Sequence, residues 1–298
     1  MAEMDRRAFL NCGRAGLLAL AASAFRAAKV AAYPLGIPVG LQLYTVRQEC
    51  DRDLAAALQR VATVGYRNVE VGGTDNLWGR RPRDLRKMLC DNCLVCVSAP
   101  VSVEMMASGW QKTVDQLAEL GALYAVGPGE DVALQSSLDA IRRHADLFNR
   151  LGEQCQNSGV RLAFHCHNRC FRTVEGTVAY DAMLQHTDPR YVDMEMDCFW
   201  TTLAGKDPVA YFHRYPGRFA LLHIKDLKPG FTTTTGSLPT KGNPFAEVGR
   251  GVIQWRRIFA AAREGGLKYY MVEQDECDRP PFESIRISYK YLRELSVA

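Results

Sequence analysis

Arg161-Leu162-Ala163-Phe164-His165-Cys166-His167-Asn168 is a short apolar run that breaks into imidazoles. The same design returns three times: Tyr191-Val192-Asp193-Met194-Glu195-Met196-Asp197, then Phe219-Ala220-Leu221-Leu222-His223-Ile224-Lys225-Asp226, then Tyr269-Tyr270-Met271-Val272-Glu273-Gln274-Asp275. Each run has the length of a β-strand, and near-continuous apolar character marks a strand covered on both faces, as in a parallel sheet. Each run also ends in groups that bind metals or move protons. Side chains alternate along a strand, so His165 and His167 share a face, as do Glu195 and Asp197.

Working outward, further strand-like runs lie at 39–44, 68–71, 94–101 and 122–126. Helical periodicity fills the gaps at 53–64, 83–89, 110–120, about 134–157, 177–186, 208–214, 255–264 and 284–295. Gly65, Gly121, Gly159 and Gly266 stand between a helix and the next strand, where helix C-caps are expected. Eight strands alternating with helices predict a (β/α)8 TIM barrel, a single domain over residues 36–298. An open doubly wound sheet is the other α/β arrangement. Gly40-Leu41-Gln42-Leu43-Tyr44-Thr45-Val46-Arg47 carries no Gly-rich phosphate loop after strand one, which argues against dinucleotide binding. Residues 226–250 form a long Gly-, Pro- and Thr-containing loop after strand seven, on the face where barrel enzymes place their chemistry.

The 298 residues carry a formal charge of +4. Arg6, Arg7, Arg14, Arg26 and Lys29 against Glu3 and Asp5 put most of it before residue 33. The body is thus nearly neutral, without the basic field of a nucleic-acid binder. Asp5-Arg6-Arg7-Ala8-Phe9-Leu10 followed by the Ala-rich run 15–25 reads as a signal peptide over residues 1–30, too short to span a bilayer. The paired arginines resemble a twin-arginine export signal, so a periplasmic or secreted location is expected. Cys90-x-x-Cys93-x-x-Cys96 has a metal-like spacing, but Cys96 falls in an apolar strand and no second Cys/His pair follows. The other cysteines inside strands read as small hydrophobes.

A single strand-end histidine is more often a hydrogen-bonded structural group than a ligand. The case for a metal rests on the conjunction of His and carboxylate groups on four successive strands. Burying those carboxylates without a counter-charge is costly, and a divalent ion offsets the cost. A mixed N/O set suits Zn²⁺, Mn²⁺ or Co²⁺ better than Ca²⁺. His144, His186 and His213 fall on or just past helices and read as surface residues.

These segments resemble the sugar phosphate isomerase/epimerase family of the xylose isomerase-like TIM-barrel superfamily. The resemblance is carried by residues 40–47, by Gly65-Tyr66-Arg67-Asn68-Val69-Glu70, by the four strand ends above, and by Glu247-Val248-Gly249-Arg250-Gly251-Val252-Ile253-Gln254-Trp255. It implies one divalent metal ion (Mn, Zn, Co or Mg) held by His165, Asp197, His223 and Glu273. His165 stands where characterised ketose epimerases of the superfamily have Glu, a departure that bears on a direct copy of their mechanism. The activity implied is proton transfer next to a carbonyl of a sugar or glycoside, through an enediolate. Glu273 or His167 is the expected base and Lys225 a charged catalytic partner. Gln42, Glu70, Asn168, Trp200 and Glu195 are the expected substrate contacts.

Isomerisation, epimerisation and β-elimination share that first step. The main expectation is therefore a sugar isomerase or epimerase, with a lyase acting on 3-keto-glycosides as the alternative. A sugar-binding barrel without catalysis is the reading from a different class. The endonuclease branch of the superfamily is disfavoured, because it needs three zinc ions and a basic surface. Barrels of the family often pair through their mouths or sides, so a homo-oligomer is also an expectation.

Overall fold

The computed structural model describes residues 33–72, 77–129, 136–238 and 242–296, without the side chain of Cys166. The expected signal segment, residues 1–30, lies outside the described residues. Eight parallel strands close into a barrel: β1 Gly40–Gln42, β2 Asn68–Glu70, β3 Val95–Pro100, β4 Tyr124–Pro128, β5 Arg161–Cys166, β6 Val192–Asp197, β7 Leu221–Ile224 and β8 Tyr269–Val272. Neighbours follow chain order, and β1 closes the ring on β8. The expected (β/α)8 barrel is the observed fold.

Register places the polar strand ends side by side. His165 pairs with Glu195, Asp197 with His223, and Gln42 with Glu70. A register shift between Val69 and Glu70 sets Glu70 opposite Ser98. Two residues earlier on the same faces, Ala163, Leu221 and Met271 join Tyr124 and Val126 in a small apolar cluster that floors the site. The larger core lies between the strands and the surrounding helices.

Helix ends follow the sequence signals. Gly121 and Gly266 are left-handed C-caps, and Asp53, Ser137 and Asp207 are N-caps whose side chains accept helix N–H bonds. Two readings need correction. His144 is buried, not on the surface, because helix Leu138–Gln154 packs it against Phe148 and Phe164. The short helices Arg47–Arg52, Val103–Ala107 and Cys198–Leu203 were also absent from the sequence reading; each is too short to show a period. The Cys90/Cys93/Cys96 spacing forms no metal cluster among the described residues: Cys90 and Cys93 are exposed, whereas Cys96 is buried in β3. No helix among the described residues is long and apolar enough to cross a membrane.

Candidate metal centre and active site

A cavity of about 260 Å³ opens at the C-terminal ends of the strands. One wall is polar, with Gln42, Glu70, His165, His167, Glu195, His223, Glu273 and Asp275; Pro100, Val101, Val126 and Pro128 form an apolar wall over β3 and β4. This is the end at which barrel enzymes carry their chemistry.

His223, the last residue but one of β7, is the hub. Its two ring nitrogens face different groups. Nε2 lies 3.0 Å from Oε1 of Glu70 in a hydrogen bond, and 3.5 Å from Oε2 of Glu195. Nδ1 lies 3.1 Å from Oε2 of Glu273 and 3.8 Å from Oδ2 of Asp197. His165 adjoins it, with ring centroids 4.7 Å apart, and its Nδ1 is 3.1 Å from Oε2 of Glu195.

Two triads thus have donor atoms close enough to share an ion: Asp197, His223 and Glu273, and His165, Glu195 and His223. Several of these buried atoms lack a hydrogen-bond partner: Nδ1 of His223, Nδ1 of His165 and both oxygens of Glu195; Oδ2 of Asp197 is met by the Lys225 ammonium at 3.1 Å. Native proteins rarely leave buried polar atoms unpaired, and convergent unpaired N and O donors are what a divalent cation takes up. The residues therefore fit a metal. The first triad fits better, because its imidazole atom is the unpartnered Nδ1, while Nε2 is already bound to Glu70.

Lys225 is fully buried, and its ammonium contacts Glu273, Asp275 at 2.7 Å and Asp197 at 3.1 Å. It lies outside the cavity lining, against the rings of Trp200, Phe245 and Phe199. The structure thus gives it a different place from the one expected of a catalytic partner: it holds carboxylates in position. Electrostatics follow from this crowding. Burial alone would raise the Glu273 carboxyl, but Lys225 and His223 hold it well below the usual carboxylate range. Burial and then repulsion from Glu70 push the Glu195 carboxyl well above that range. Burial would lower the His223 imidazole, but Glu195, Glu70 and Glu273 raise it well above its ordinary value.

The expected substrate contacts divide. Glu70, Gln42 and Glu195 line the cavity but also bind within the imidazole–carboxylate network. Asn168 does not reach the cavity lining: its buried carboxamide donates to the carbonyls of Thr234 and Gly236, both at 2.8 Å, and ties down the long loop after β7. Trp200 is buried and stacks on His167, with centroids 4.7 Å apart, so it supports the imidazole from outside the lining of this cavity. Asp197 divides its oxygens: Oδ1 caps helix Cys198–Leu203 at Trp200 N, while Oδ2 faces both the Lys225 ammonium and His223. The sequence reading assigned no role to Asp275 or Ser98. Asp275 carries a visible signal, since it shares a face with Glu273; Ser98 reaches Glu70 only through the β2–β3 register shift, which no sequence pattern marks.

The sequence pattern of the xylose isomerase-like TIM barrel family matches residues 58–295. The chain belongs to this family. An inosose dehydratase of Lacticaseibacillus casei is 26% identical over 268 residues, 79% of this chain and 87% of the relative. A crystal structure of a sugar phosphate isomerase/epimerase from Parabacteroides distasonis is 28% identical with a TM-score of 0.73, covering 93% of this chain and 98% of that one. The IOLI protein, solved with a bound zinc atom, shares the fold at 15% identity and a TM-score of 0.69, over 87% of this chain and 98% of its own. Members of the family thus include enzymes, and at least one protein of this fold holds a metal.

Proposed function

We propose that the protein is a metal-dependent lyase of the dehydratase type, acting on a polyhydroxylated ring ketone such as an inosose. The observation that carries this reading is the buried triad Asp197, His223 and Glu273 at the cavity, in a chain that matches inosose dehydratases along most of its length. The likeness to dehydratases favours elimination over the isomerase or epimerase outcome expected from the strand ends.

Asp197, His223 and Glu273 would hold the ion, with His165 beside them. Such an ion supplies a Lewis acid that stabilises charge developing on the ketone oxygen. Lys225 keeps Glu273 ionised and holds both Glu273 and Asp275 in place. His167 lines the cavity outside both triads and is braced by Trp200, so it is the group placed to take the α-proton. As the α C–H bond breaks, its electron pair forms the new C=C bond and the β C–O bond breaks. The proton taken by His167 passes to the departing hydroxyl, which leaves as water. The apolar floor and the β3–β4 wall exclude competing water.

The test is to load the protein with Zn²⁺ or Mn²⁺, add an inosose in deuterated solvent, and follow the product by mass and NMR. The expected product is lighter by one water and is a 2-hydroxyenone or its 1,2-diketone tautomer; it fails to form with chelator or in His167→Ala. A product of unchanged mass with deuterium at the α-carbon would instead identify an epimerase or isomerase, the reading favoured by the Parabacteroides distasonis relative. Neither exchange nor dehydration on any ring ketone would defeat both.

A further inference from the structure

We infer that Glu70 is a positioning residue for the metal site, which fixes the tautomer of His223 so that Nδ1 is the nitrogen presented to the ion. The inference rests on the metal reading above and not on the reaction.

Glu70 is fully buried at the end of β2, separated from β7 by β1 and β8 around the ring. Three donors converge on its carboxylate: Nε2 of Gln42, Oγ of Ser98 at 2.5 Å, and Nε2 of His223 at 3.0 Å. The strands dictate this grip, because Gln42 is its ladder partner on β1 and Ser98 its partner on β3. The orientation of the Gln42 amide is fixed in turn: Oε1 accepts from the Tyr44 N–H at 2.9 Å, which leaves the NH₂ group to donate to Glu70. Gly72 makes room for that amide, since a Cβ there would stand 1.9 Å from Oε1 of Gln42. A carboxylate that receives three donors is an acceptor only.

An imidazole that ligates a metal is neutral, with one N–H and one lone pair. With Nε2–H committed to Glu70, the lone pair lies on Nδ1. That atom has no hydrogen-bond partner and faces two carboxylate oxygens, of Glu273 and Asp197. The Lys225 ammonium already contacts both of these oxygens, so Nδ1 is the donor of the triad that an ion would take up. A carboxylate behind a ligating histidine orients the ring and raises its basicity, and losing such a partner weakens metal binding about 10–100-fold.

The experiment measures Zn²⁺ affinity by chelator competition, together with ring ¹⁵N spectra of the zinc-loaded protein. In the unaltered protein, His223 is expected to be metallated at Nδ1 and protonated at Nε2. Glu70→Gln keeps an acceptor oxygen where Gln42 and His223 meet it but loses the charge behind Nε2, and should weaken Zn²⁺ about 10–100-fold, while Glu70→Asp recovers part of the loss. Gln42→Leu keeps the carboxylate but frees it on one side, and should weaken Zn²⁺ by a smaller factor; it serves if Glu70→Gln does not fold. Metallation at Nε2, or unchanged Zn²⁺ affinity in both Glu70→Gln and Gln42→Leu, overturns the inference. Normal Zn²⁺ behaviour without dehydration would strike the proposed reaction alone.

Discussion

Lys225 shows how much of the site depends on one side chain. Its ammonium neutralises charge shared by Glu273, Asp275 and Asp197 in a place water does not reach. Removing one member of a buried ionic set leaves uncompensated charge and costs about 3–5 kcal/mol. Lys225→Met should therefore lower the thermal midpoint strongly, and added Zn²⁺ should restore more of it than in the unaltered protein; equal stability with and without Lys225 would refute the assigned role. The cysteines make a second residue-scale case. Burial, followed by Asp51 and Glu49, pushes the Cys50 thiol up to about 12, and burial pushes Cys155 up to about 11. Both stay protonated at pH 8, so neither supplies a thiolate. Peptide mapping after brief iodoacetamide treatment of the folded protein should find Cys90 and Cys93 alkylated and Cys50 and Cys155 intact. At this scale the sequence showed which residues gather at the rim, because strand-end position is a local property. It did not show which way each side chain turns: Asn168 and Trp200 sit beside His167 in sequence or in space, yet one ties down a loop and the other braces a ring.

Among the elements, helix Pro208–Arg214 begins at Asp207, whose Oδ1 accepts from Val209 N at 3.0 Å. Arg257, on helix Trp255–Gly265, grips the same carboxylate with two hydrogen bonds of 2.9 and 2.5 Å. Those bonds hold the Asp207 carboxyl below its usual range. A carboxyl lowered on folding contributes stability above its unfolded value of about 3.9, and the contribution is lost as pH falls through the folded value. Asp207→Asn keeps a capping oxygen and loses the ion pair, so its deficit at pH 7 should be small and vanish in acid. Asp207→Ala loses the cap as well and should cost about 1 kcal/mol at neutral pH. Denaturant titrations at pH 7 and pH 3 check both; a deficit for Asp207→Asn that grows in acid would contradict the assignment. The long helices and the strands were legible because their hydrophobic patterns repeat, whereas six-residue helices such as Cys198–Leu203 are held by a cap and by tertiary packing. The loop after β7 was legible as long but not as anchored. Its anchors are Asn168 and the buried carboxylate of Asp226, which accepts from Gly249 N, Ile253 N and Trp255 Nε1, contacts that span 23 to 68 residues of sequence.

The molecule as a whole brings strands far apart in sequence to one rim, and with them more acid than base. Glu70, Glu195, Glu273 and Asp275 line the cavity, Asp197 is buried next to its lining residue His223, and the Lys225 ammonium is already engaged by three of these five carboxylates. A divalent ion offsets part of that charge and leaves a field that disfavours anions. An uncharged ring ketone should be processed with kcat/KM nearly independent of salt. Its phosphate ester should be slower by roughly 100-fold, the scale of one or two like-charge contacts at intermediate dielectric, and should improve as salt screens the repulsion. A phosphate ester handled as well as the neutral ketone would refute this selectivity. The central claim, however, is the ion itself, and diffraction from zinc-loaded crystals at the zinc absorption edge tests it most directly. The account predicts one anomalous peak per chain, at about 2.0–2.2 Å from Nδ1 of His223 and from carboxylate oxygens of Asp197 and Glu273; a peak bound instead to Nε2 of His223 and Glu195, or no peak at the cavity, would contradict it.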